Sequence, residues 1–221
     1  MCNLYANTMP VDAMREIFDV PSPRTHLGNA EPLRAIFPRH EAPIVRIGAE
    51  GRELVRAHWG FLMPQISKKT GKPILPKAIN NTRDDKVRIS RFWRKSFEVR
   101  RCLIPATAFC EAKGRKPATY HWFSVGGSGQ AEPFAFAGVW RSFRGTYRDE
   151  KVEVDTYSMM TSTPNDLVRK IHPDRMPVIL GTEAQATWLE GSVDEAFEVI
   201  ETYPADRMQE IGEGEEMKSQ P

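Results

Sequence analysis

Cysteine is scarce in this chain: Cys2, Cys102 and Cys110 are the only three among 221 residues. A small, odd set cannot close a disulfide framework, and the Cys102/Cys110 spacing fits no zinc motif. No apolar run approaches the roughly 18 residues of a membrane span. The opening Met1-Cys2-Asn3-Leu4-Tyr5 has neither the basic nor the apolar region of a secretory signal. These absences predict a cytoplasmic protein in a reducing compartment, without membrane contact. The chain also lacks a P-loop, GxGxxG, GxSxG and HExxH, so the commonest nucleotide, serine-hydrolase and zinc-peptidase signatures are missing.

What is present begins with charge. The net charge of +2 hides a split. Gln65 to Ala118 holds 15 Lys and Arg against four acids, a local +11, which leaves −9 for the rest. Thr182 to the end holds 11 acids and two bases. A basic middle beside an acidic end is the pattern of a polyanion-binding surface, or of a solvated surface that happens to cluster.

Hydrophobic periodicity supplies the elements. Pro10 opens a short helix with Met14, Ile17 and Phe18 on one face, and Val20 to Pro43 reads as irregular. Ile44 to Ile47 and Arg52 to Trp59 read as strands joined by a turn at Gly48 to Gly51. Gly60 to Lys77 reads as loop. Val87 to Val99 fits a helix with Ile89, Phe92, Trp93 and Phe97 inward. Strands follow at Leu103 to Phe109, Thr119 to Val125, Phe134 to Phe143 and Val152 to Met160, with a surface turn at Gly126 to Gly129. A helix capped by Thr163 covers Pro164 to Ile171, Met176 to Leu180 is a buried strand, and helices cover Thr182 to Leu189 and Val193 to Ile200. The pattern predicts an α+β single domain over 1–203, with a mostly antiparallel, barrel-like mixed sheet surrounded by short helices. The acidic tail, 204–221, reads as frayed and flexible.

Four residues stand out chemically. Initiator-Met removal requires a small second residue, and Cys2 qualifies. The mature chain would then begin with an α-amine and a thiol on adjacent carbons, with ordinary pKa values of about 8 and 8.5. Such a 1,2-aminothiol condenses with an aldehyde to a Schiff base and closes to a thiazolidine. Position alone leaves an incidental cysteine on a loose terminus as the alternative. Glu111 ends an apolar run, Leu103 to Cys110, where an acid is either paired or working. His172 precedes a buried strand and suits proton transfer near neutrality, or is a hydrogen-bonded loop histidine. Asn81, in the Asn80-Asn81-Thr82-Arg83 stretch, lies in a Pro-flanked loop, where Asn is turn chemistry or holds an oxyanion or a hydroxyl. Trp59, Phe92 and Trp93 alternate with Arg83, Arg91 and Arg94, which suits base stacking in single-stranded nucleic acid or, alternatively, core packing.

Together with Trp59-Gly60, Asn81-Thr82-Arg83, Phe92-Trp93, Arg101 to Ala106, Phe109-x-Glu111, Thr161, and His172 followed by Arg175 to Leu180, the Met1-Cys2 start resembles the SOS response-associated peptidase (SRAP) family of abasic-site processing proteins. The resemblance runs from Cys2 to about Leu189. It implies the SRAP fold and covalent capture of abasic sites in single-stranded DNA by Cys2, with no metal or organic cofactor. It further implies Asn81, Glu111 and His172 as catalytic partners, and Arg83, Arg91, Thr161, Arg175 and Trp59 as DNA contacts. It implies a monomer, nucleoid-associated when on DNA, with peptidase activity limited to removal of Met1. Asn3 and Leu4 stand where many members have Gly-Arg, and Ala112 where many have Trp. Two other readings use the same residues differently: a cysteine peptidase or N-terminal-nucleophile amidohydrolase, and a single-strand binding module without chemistry.

Overall fold

The computed structural model describes residues 2–28, 30–127, 131–147, 150–215 and 217–221. The chain opens with strand β1 (Leu4–Asn7), helix α1 (Val11–Ile17) and strand β2 (Leu33–Ile36). A hairpin of β3 (Glu41–Gly48) and β4 (Gly51–Trp59) follows, paired in register from Glu41 opposite His58 to Gly48 opposite Gly51. Next come β5 (Phe61–Ile66), β6 (Pro73–Ile79), β7 (Asn81–Arg83), α2 (Asp84–Val87) and α3 (Arg94–Val99). Strands β8 (Arg101–Ala106), β9 (Ala108–Lys113), β10 (Thr119–Val125), β11 (Phe134–Tyr147) and β12 (Glu150–Ser162) make up the middle. The chain ends with α4 (Asp166–Arg169), β13 (Met176–Pro177), β14 (Ile179–Leu180), α5 (Thr182–Glu190), α6 (Val193–Glu198) and β15 (Met208–Gly214).

Strands β12, β4, β3, β8 and β11 close on themselves, because β11 also pairs with β12. The result is a five-stranded barrel, antiparallel except where β12 runs parallel to β4 and to β7. A second sheet in the order β15-β10-β9-β1-β2 packs beside it. Alternation along each barrel strand separates two apolar layers. One layer contains Met14, Phe97 and Trp188 from the helices, with Val45, Leu54 and Leu103, so it is the outer surface under α1, α3 and α5. The other, with Ile44, Trp59, Ile104, Phe136 and Met159, is the barrel interior, and Tyr5, Phe109 and Phe123 of the second sheet reach into it. Gly138 belongs to this interior: a Cβ there would meet Ile104 Cδ1 at 2.7 Å and Cys102 Sγ at 2.9 Å. The α+β, barrel-like, mainly antiparallel architecture expected from the sequence is the one observed.

Four local expectations are corrected. Gly60 to Lys77 is a β5–β6 hairpin rather than a loop; its ribbon has only two strands, both edges, and edges tolerate Pro64, Pro73 and Pro76. Val87 to Val99 is not one helix. Ser90 breaks it by accepting the Phe92 N–H at its hydroxyl, and Ile89, expected inward, is 71% exposed. Leu103 to Phe109 is split between β8 and β9, which lie in different sheets. Among its described residues the acidic tail is held to the body: β15 pairs with β10 along its length, Trp122 Nε1 donates to the Met217 carbonyl at 2.8 Å, and Arg34 donates to the Gln220 carbonyl at 2.6 Å. An edge strand buries only one side, so its acidic composition resembles a solvated tail. Of the expected turn at Gly126 to Gly129, Ser128 and Gly129 lie outside the described residues. Among the described residues no helix is long and apolar enough to cross a membrane.

Candidate active site

Strand β1 carries the N-terminal segment between two neighbours. Leu4 lies opposite Cys110 and Tyr5 opposite Phe109 on β9, while the Tyr5 hydroxyl shares a 2.5 Å hydrogen bond with Tyr157 of the barrel. This fixes Cys2, which is fully buried. Its Sγ points at the Leu4 carbonyl (3.4 Å) and the Cys110 carbonyl (3.8 Å). Its own carbonyl accepts from Asn81 Nδ2 at 2.8 Å and from Asn80 Nδ2 at 3.1 Å.

The two asparagines are themselves held. β7 lies parallel to β12 with Asn81 level with Met159. The Asn80 carbonyl accepts from Trp59 Nε1 (2.9 Å) and Met159 N (3.0 Å), and Asn80 Nδ2 also reaches Asn3 Oδ1 at 2.9 Å. Asn81 Oδ1 is buried and accepts no hydrogen bond among the described residues. Asn80, part of the same Asn80-Asn81 doublet but not singled out from the sequence, shares in holding the Cys2 carbonyl.

Glu111 sits on β9, buried at 2% exposure, one residue past the position opposite Leu4. Burial pushes its carboxyl from the usual range up to about 7. Burial likewise raises the Cys2 thiol well above its ordinary value, and the charge of nearby Glu111 adds to that rise. His172 lies between α4 and β13, half-buried, and burial lowers its pKa. Its Nδ1 accepts the Arg175 N–H at 3.2 Å, which in the neutral ring assigns the proton to Nε2. Glu111 and His172 line one cleft of about 480 Å³ with Asn3, Ala112, Arg115 and Tyr120. Asn3, Leu4 and Cys110, next to Cys2 in sequence or bonded to it, line the same cleft, which offers a carboxyl titrating near neutrality and an imidazole whose pKa is lowered.

The residues expected to contact DNA divide into three groups. Arg83, Thr161 and Arg175 converge where β7, β12 and β13 meet, with Thr161 level with Arg83 on one side and Pro177 on the other. There Arg83 grips Asp85 through two bonds (2.8 and 2.9 Å). Arg175 grips Asp84 at 2.5 Å and also donates to the Thr161 carbonyl. Thr161 is fully buried and its hydroxyl donates to the Thr82 carbonyl at 3.1 Å. Arg91 is exposed in the turn after α2. Trp59 is fully buried, stacked with Tyr157 in the barrel interior, so it offers no face to a base. Its place is structural: it holds the Asn80 carbonyl.

Fold and site together define a β-barrel protein whose second residue, a cysteine, is buried near Glu111, which lines a cleft with His172. The model of the SOS response associated peptidase (SRAP) family matches residues 1–213. Similar proteins include the abasic site processing protein YoqW of Bacillus subtilis, 30% identical over 170 residues, covering 75% of this chain and 71% of that protein. Another is the abasic site processing protein YoaM of the same organism, 26% identical over 215 residues, covering 95% and 89%. Among solved structures, a Bordetella bronchiseptica protein matches with a TM-score of 0.73 at 24% identity, covering 96% of this chain and all of that one. A Bacteroides thetaiotaomicron protein matches at 0.69 and 17%, covering 95% and 90%. The chain belongs to the SOS response associated peptidase family.

Proposed function

We propose that this protein processes abasic sites in DNA by trapping them as a covalent thiazolidine on Cys2. The observation that carries the reading is the seating of Cys2 by Asn80 and Asn81 against the buried Glu111. Removal of Met1 frees the Cys2 α-amine. That amine attacks the aldehyde of a ring-opened abasic sugar, and loss of water gives a Schiff base. The thiol then adds across the C=N bond and its proton moves to the nitrogen, closing the five-membered ring. Atoms balance with water as the only product released.

Each step moves a proton, and Glu111 with a pKa of about 7 serves both as donor and as acceptor. It protonates the departing hydroxyl as the Schiff base forms, then accepts the thiol proton, lowering the cost of ionising a buried sulfur. His172, neutral near pH 7 and carrying its proton on Nε2, assists opening of the sugar ring. Asn81 holds the reacting residue and offers its free Oδ1 to the sugar hydroxyls. Arg83 and Arg175 exchange Asp85 and Asp84 for phosphates, and Arg91 adds a further phosphate contact; single-stranded DNA is the substrate form and the protein acts as a monomer. The test is an intact-mass measurement after mixing with abasic single-stranded DNA: the parent gains the DNA mass less one water, and Cys2→Ala does not.

A further inference from the structure

We propose that the β5–β6 hairpin is a DNA arm, which holds the phosphate backbone of the strand as it continues away from the Cys2 site. The proposal rests on the abasic-DNA reading and adds a grip that the expected arginines do not supply. Residues 61–79 contain Lys68, Lys69, Lys72 and Lys77 and no acid at all. All four lysines are exposed, and none forms an ion pair among the described residues. By contrast Arg83, Arg88 and Arg175 are already paired with Asp85, Asp194 and Asp84. The hairpin therefore carries four exposed positive charges that no acid compensates among the described residues.

The arm has a fixed root and a projecting end. Phe61 is buried in the outer core layer, Arg39 donates to the Pro76 carbonyl at 2.8 Å, and Arg141 donates to the Leu62 carbonyl at 3.2 Å. Beyond that, among the described residues β5 and β6 pair only with each other, around a turn closed by the Ser67 N–H on the Lys72 carbonyl at 2.9 Å. Strands of six and seven residues extend the ribbon by about 20 Å. Ile66, Ile74 and Leu75 are 67%, 52% and 47% exposed beside the lysines, placing aliphatic surface where sugars and base faces would pass. The root leads directly to the site, since β6 ends at Ile79 and the next two residues, Asn80 and Asn81, hold the Cys2 carbonyl.

Strand addition by a second copy is disfavoured. Pro64, Pro73 and Pro76 interrupt the hydrogen-bonding edges, and lysines at an exposed edge repel another such ribbon. Lysine point charges on a ribbon suit a phosphate backbone read without sequence preference.

The test compares Lys68→Gln/Lys69→Gln/Lys72→Gln with the parent, both in a Cys2→Ala background, by equilibrium binding across a salt series. The probes are two single-stranded oligonucleotides with an aldehyde-free abasic analogue, one long and one trimmed to the lesion's immediate neighbours. On the long probe the slope of log K against log salt should fall by about 2, from three phosphate contacts at ~0.7 each. On the short probe it should not change. An unchanged slope on the long probe, or an equal fall on both, overturns the arm. Adduct formation by the Cys2-bearing parent on the short probe is measured separately; its absence would sink the capture chemistry without deciding the arm. The three lysines make no side-chain bonds among the described residues, so the substitutions leave folding intact, with the thermal midpoint as the check.

Discussion

Asn81 Nδ2 donates a 2.8 Å hydrogen bond to the carbonyl of Cys2, 79 positions away in sequence. The bond ties the chain's second residue to the strand leaving the β5–β6 hairpin, so the N-terminal segment is positioned by the barrel rather than left as a free end. Asn81→Ala leaves that buried carbonyl with Asn80 alone. It should cost about 1–3 kcal/mol of stability, read from denaturant unfolding. Adduct formation should slow in Asn81→Ala even where the fold is retained.

Glu111 predicts a pH signature. Its folded pKa, about 7, lies above the ordinary 4.5, so between those values the folded state holds a proton that the unfolded state has released. Stability from this group is complete below about 4.5 and is lost as pH rises through about 7. The loss is on the order of 3 kcal/mol. Glu111→Gln should remove that slope, which unfolding curves across the pH range will reveal. The same variant should flatten the pH–rate profile of adduct formation near 7.

His172 has its folded pKa lowered by burial. Its stabilising contribution is therefore present at neutral pH and is lost as pH falls through the lowered value. His172→Gln should slow formation or release of the adduct while leaving equilibrium DNA affinity nearly intact. A large loss of affinity instead would reassign His172 to DNA binding.

The C-terminal strand is fastened by His121, whose Nδ1 lies 2.6 Å from Glu210 and 3.4 Å from Glu213 on β15. Truncation before Ala205 would leave β10 as a bare edge and uncover Trp122, so the shortened protein should melt earlier and aggregate. Glu210→Ala, at a half-buried pair, should cost about 1 kcal/mol in thermal or denaturant unfolding.

The sequence made the proposed reacting groups visible because they are polar residues in apolar or terminal settings: Cys2 at the start, Glu111 after an apolar run, His172 before a buried strand. Strand alternation likewise made β4, β11 and β12 recognisable. What stayed hidden depended on tertiary pairing. The prolines of β5–β6 read as loop because edge tolerance cannot be seen along one chain. β15 read as frayed because its partner, β10, is more than 80 residues upstream. Trp59 read as a stacking surface because an aromatic beside arginines has the same pattern in a core as on a surface; only its burial and its bond to Asn80 place it.

The most direct measurement is intact mass spectrometry of the purified protein before and after incubation with abasic single-stranded DNA. Thiazolidine capture by Cys2 predicts loss of Met1 in the starting protein and then a new species at the mass of protein plus DNA minus one water, absent for Cys2→Ala. A Met1-free parent that stays unmodified, or a Cys2→Ala protein that forms the same adduct, would contradict it.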